Sequence, residues 1–266
     1  MNLWHWHPEV AVGLGSLLVL YGVGIGPLRS RYGWGPGVDP RRVLSFVGGT
    51  LVLGLALLGP LAEWAESVAL SAHMIQHLLM TLVVPPLWLL GTPDWLIAPL
   101  TRVPGGFPAG YVLTRPVVAF ALAATTLIVW HIPVVFEAAL YRESIHILEH
   151  LTLLGTGLLA WWPVAGSFAA WPRPAPPARL LYLFLATIPM TAVASPITLA
   201  DGLLYPFYAR AAAPWPLTPR ADQELAGVLM WVVGSLGYLV AGTIVFFQWA
   251  GREDAEAGAA VARAER

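Results

Sequence analysis

The chain alternates between long apolar runs and short polar breaks. Runs long enough to cross about 30 Å of hydrocarbon fall at 8–28, 43–60, 68–90, 116–136, 145–165, 179–200 and 225–249, which predicts an all-α polytopic membrane protein with seven transmembrane helices. The second run is short. The sixth contains Pro189 and Pro196, where kinks are expected. The breaks at 29–42, 91–108, 169–179 and 201–224 are rich in Pro, Gly and charge. With no internal repeat and no linker, residues 1–250 read as a single seven-helix transmembrane domain. Residues 251–266, GREDAEAGAAVARAER, read as a short charged tail, a solvated helix or a frayed end. The segment MNLWHWHPEV lacks a basic n-region and a small-residue cleavage site, so it is expected to be retained.

Composition strengthens the membrane reading. Of 266 residues, 58% are hydrophobic and 11% charged, and the mean hydropathy is +0.69. The net charge of −1 and the absence of any basic run give no sign of nucleic-acid binding. There is no Cys, which excludes disulfides and thiolate metal sites. There is no Lys either, which excludes a retinal-type Schiff base.

All fourteen basic residues are therefore Arg. With the N-terminus outside, eleven fall in inner segments (29, 31, 41, 42, 102, 115, 173, 179, 252, 263 and 266) and three in outer ones (142, 210 and 220). The positive-inside bias predicts an N-terminus outside and a cytoplasmic C-terminus.

That orientation gives the polar residues meaning. His73 and His77, in SAHMIQHLLM, are four apart and share one helix face; His146 and His150, in SIHILEH, repeat the pattern. His131 lies near the outer end of the fourth run, in WHIP. At about 1.5 Å rise per residue, His73, His131 and His150 reach similar depth, with His77 a turn deeper and His146 a turn shallower. Polar groups at membrane depth are costly and mark functional sites. Neutral imidazole suits Cu, Zn and Fe, and thioether adds a soft ligand for Cu(I). The five histidines are thus candidate metal ligands facing outward. Met74, Met80 and Met230 are candidate auxiliary ligands, and Gln76 and Glu149 are candidate partners that orient ring nitrogens.

Plainer readings compete. Met74 and Met80 read first as gap-filling lining. His5 and His7, beside Trp4 and Trp6, read first as an interfacial anchor. Glycines 227, 234, 237 and 242 point to close helix packing. Two other site chemistries are open: haem held axially by a pair such as His77 and His150, or a zinc hydrolase using His146, Glu149 and His150, whose HILEH spacing matches H-x-x-E-H. A copper permease is disfavoured, because the inner halves of the runs offer few ligands.

Four motifs in order resemble one family. They are HMIQHLLMTLVVPPLWLLGTP (73–93), WHIPVVFEAAL (130–140), SIHILEHLTLLGTGLLAWWPV (144–164) and ADQELAGVLMW (221–231), the last with Asp222, Gln223, Gly227, Met230 and Trp231. They are similar to motifs of the polytopic CtaG-type cytochrome c oxidase assembly factors of bacteria, and the resemblance covers about residues 8 to 250. It implies a non-catalytic, multi-pass protein of the bacterial inner (cytoplasmic) membrane that helps mature a haem-copper oxidase. Copper would be held or delivered, with oxidase subunits and an extracytoplasmic copper donor as partners.

Overall fold

A computed structural model describes residues 7–210 and 215–264; Trp4, His5 and Trp6 lie outside the described residues. Every element among them is helical, with no strand. We number the helices α1 (Pro8–Tyr32), α2 (Pro40–Leu58), α3 (Pro60–Ser67), α4 (Leu70–Gly91), α5 (Asp94–Thr101), α6 (Gly106–Leu113), α7 (Pro116–Trp130), α8 (Pro133–Tyr141), α9 (Glu143–Ala165), α10 (Pro176–Leu199) and α11 (Pro219–Ala260). Proline opens seven of these, at the position where its missing N–H costs nothing and its fixed φ suits the helix. Asp39 and Thr218 add side-chain caps to α2 and α11.

By length and composition α1, α2, α4, α10 and α11 can each cross a membrane. The pair α6 and α7, bent by 72° at a short break, makes six if counted as one span. Helix α9 has the length, 23 residues, but not the apolarity. His146, Glu149, His150 and the paired Trp161 and Trp162 dilute its leucines.

Two boundaries differ from the sequence expectation. The fourth run stops at Trp130, not 136, because Pro133 cannot continue the helix and pushes Ile132 out of helical conformation. The break at 91–108 forms α5 and most of a turn into α6. The charged segment from Gly251 takes the helical form of the two expected, continuing the last helix to Ala264. Helix α10 runs without interruption through Pro189 and Pro196.

Helix α4 is the hub. It packs against α2, α3, α9 and α11, and 56% of its apolar stretch is buried, against 11–28% in the other spans. Its middle turn, Leu79–Val83, is π-helical. The cause lies just downstream: Pro85 has no N–H to give the Thr81 carbonyl. The Trp161 indole of α9 donates to that carbonyl instead, at 2.9 Å. Gly157 of α9 makes room, as a Cβ there would lie 3.2 Å from the Pro85 ring. The histidine-bearing halves of α4 and α9 are thereby held in register.

Candidate metal centre

Helix α4 presents His73 and His77 one turn apart, and α9 faces them with His146, Glu149 and His150. His131 arrives from the end of α7. The ring centroids lie 4.3 Å apart for His73 and His77, 4.1 Å for His146 and His150, and 5.5 Å for His73 and His146. His77 lies 5.6 Å from His150 and 5.9 Å from His131. All five predicted imidazoles therefore meet in one cluster. His73, His77 and His131 are buried, and Glu149 has no exposed surface, at 0%.

Hydrogen bonds set which ring nitrogens face inward. His73 Nδ1 donates to the Ala65 carbonyl at 3.1 Å and lies 3.0 Å from the Tyr208 hydroxyl, which donates to the same carbonyl at 2.6 Å. Ala65 stands near the end of α3, where helix carbonyls lack intrahelical partners. His131 Nδ1 likewise donates to the Leu127 carbonyl at 2.7 Å. In both rings the proton is fixed on Nδ1 and Nε2 is left with its lone pair, the arrangement that orients metal-binding histidines.

Nε2 of His131, His146 and His150 and both carboxylate oxygens of Glu149 are buried without a hydrogen-bond partner among the described residues. Glu149 comes no nearer than 3.7 Å to His77 Nε2, too far for a hydrogen bond. A carboxyl group buried beside bare imidazole nitrogens is stable either as the neutral acid or with a cation joining them. This donor set fits a metal ion.

The cluster is roofed by the segment 201–210. Tyr205 donates to the His131 carbonyl at 2.8 Å, and the Phe207 amide donates to Glu137 at 3.0 Å. Gln223 of α11 accepts from the Leu204 amide at 2.7 Å and donates to the Gly202 carbonyl at 3.1 Å. Burial, with the Glu149 and Asp222 carboxylates adding to it, holds the Tyr208 hydroxyl well above its ordinary range, so it stays protonated.

One residue of α11 positions the start of α4. Ala69, at the cap position, offers no side-chain acceptor. Asp222 takes that place from another helix, accepting from the Leu70 amide at 2.7 Å and the Ser71 amide at 3.3 Å. It also accepts a short bond from the Ser71 hydroxyl and one of 3.0 Å from the Trp215 indole.

The profile of the cytochrome c oxidase caa3 assembly factor family (Caa3_CtaG) matches residues 19–252. The chain belongs to this family. Its relatives include uncharacterized proteins of Mycobacterium bovis and Mycobacterium tuberculosis, each 26% identical over 273 residues, covering 96% of this chain and 40% of the relative. An uncharacterized protein of Mycobacterium leprae is 23% identical over 205 residues, covering 71% of this chain and 31% of the relative. The chain spans less than half the length of these curated relatives. No solved structure matches it.

Within this member of the family, the remaining predicted residues fall elsewhere. Met74 and Met230 pack in the main apolar core, and Met80 packs with Leu53, Ala56 and Val84. The Gln76 amide donates to the Ala56 carbonyl of α2 at 3.0 Å. His7 pairs with Glu9 at 3.0 Å on the surface. The residues that sequence reasoning missed are Tyr205, Tyr208 and the Ala65 carbonyl. They sit in segments with no periodicity or motif to mark them. Asp222 was visible only as part of a family motif, without its role.

Proposed function

We propose that this assembly factor binds copper with His73, His77, His131, His146, His150 and Glu149, and hands it to a subunit of a caa3-type cytochrome c oxidase. The reading is carried by the convergence of buried, unpartnered imidazole nitrogens on an unpartnered carboxylate. The protein would take copper from an extracytoplasmic donor and release it by ligand exchange, so its role is delivery and not catalysis. On this reading α9 is also a span, residues 1–250 form one seven-helix domain, the N-terminus faces outside and the charged tail is cytoplasmic. The Arg bias supports that topology, and the membrane is the bacterial inner membrane.

The test is the metal content of detergent-purified protein after Cu(I) loading, wild type beside His73→Ala/His77→Ala. Copper in the wild type and its loss from the double variant are expected. A copper-free wild type would sink the proposal. A Soret band in its place would point to haem, and zinc with activity lost in Glu149→Gln would point to a hydrolase.

A further inference from the structure

The buried donors do not form one ring. They fall into two overlapping groups, each with its ligand atoms within 4.8 Å of one another: His73 with His146 and His150, and His73 with His77 and Glu149. The first draws one ligand from α4 and two from α9, and the second reverses that ratio. They differ in depth. His146 and His150 are half-buried, whereas His77 and Glu149 are buried. They also differ in chemistry, three imidazoles against two imidazoles and a carboxylate.

Both groups need His73, and His73 has one nitrogen to give. Its Nδ1 is committed to the Ala65 carbonyl and the Tyr208 hydroxyl, which leaves Nε2. An imidazole nitrogen has a single lone pair, so Nε2 serves one ion at a time. The groups are therefore mutually exclusive. They also differ in how they are closed. His73 Nε2 lies 2.9 Å from His77 Nε2, and with the His73 proton on Nδ1 this contact is a hydrogen bond from His77. An ion entering the inner group must replace it, and His77 must then carry its proton on Nδ1, which has no partner among the described residues. An ion entering the outer group also displaces that bond at His73, but there Nε2 of His146 and of His150 is unpartnered, so no contact at its other two ligands has to be replaced.

We propose that a single copper ion occupies two alternative positions, an outer one held by His73, His146 and His150 and an inner one held by His73, His77 and Glu149. It passes between them by exchanging ligands about His73. This rests on the copper-binding reading above. In the exchange the ion gives up the lone pairs of His146 and His150 and accepts one from His77 and one from the ionised Glu149. Nothing is oxidised or reduced. The outer position receives and releases the ion, and the inner one stores it.

The experiment titrates the full chain in detergent with Cu(I) under anaerobic conditions, then follows release to a water-soluble Cu(I) chelator. Wild type is compared with His146→Ala/His150→Ala and with His77→Ala/Glu149→Gln. Thermal melting without copper checks the fold of each. Where a double variant does not fold, His150→Gln and Glu149→Gln, which come closer to the native volumes, repeat the comparison. All three proteins are expected to bind about one ion per chain. Losing the inner ligands should speed release by about tenfold or more, and losing the outer pair should slow it by about the same factor, within the range that loss of metal-site groups produces. Two ions per wild-type chain would overturn the shared-His73 argument. One ion in the wild type and none in either double variant would mean one undivided site, overturning this inference while leaving copper binding intact. A copper-free wild type would overturn both.

Discussion

His73 surrenders half of its ligand capacity to the protein. Its Nδ1 proton goes to Ala65, and Tyr208 braces that bond. Tyr208→Phe removes the brace without emptying the core, so copper affinity is expected to fall by about tenfold, the low end for loss of a group behind a metal ligand. Chelator competition would measure it, and unchanged affinity would remove Tyr208 from the site. At this scale the sequence was informative where chemistry repeats with helical period. The pairs His73/His77 and His146/His150 were legible because four residues return to one face. Tyr205 and Tyr208 were not, because the segment 201–210 is held by tertiary bonds to Glu137, Gln223 and the His131 carbonyl. No local pattern encodes such bonds.

Helices come next, and their ends and close approaches decide the site. The start of α4 depends on Asp222, whose removal would leave the Leu70 and Ser71 amides buried and unpaired. Asp222→Ala is expected to cost about 2–4 kcal/mol, from a lost cap and stranded donors. Asp222→Asn, which keeps one acceptor, should cost less. Thermal melting in detergent would rank them. Gly227 fits α11 against α10, and a Cβ there would overlap the Thr198 hydroxyl and lie 2.7 Å from the Thr198 nitrogen. Gly227→Ala is expected to destabilise by about 1–3 kcal/mol through overpacking, in the same melting assay. Helix starts were legible from the apolar runs only to within several residues: the last run was placed from 225, whereas α11 begins at Pro219, where a proline and the Thr218 cap mark the start. The π-helical turn of α4 was not legible. It needs both a proline and an indole from a helix about eighty positions away.

For the molecule as a whole, the apolar runs foretold an all-helical membrane protein, and the hub role of α4 followed from its polar residues having to face inward. The proposed topology makes its own prediction. A reporter active only in the cytoplasm should function when fused after Arg266 and fail when inserted at the 142–143 junction. The reverse result would invert the orientation and place the histidine cluster on the cytoplasmic side. The dilute apolarity of α9 has a consequence for biogenesis. A carboxylate alone at the centre of a lone membrane helix costs about 2.5–3.5 kcal/mol on insertion scales, and α9 carries Glu149 with two histidines beside it. On the seven-span reading this helix enters the bilayer poorly by itself. On that reading its insertion leans on α4 and α7, which precede it and pack against it, so the last ligands delivered to the membrane are also those that complete the set.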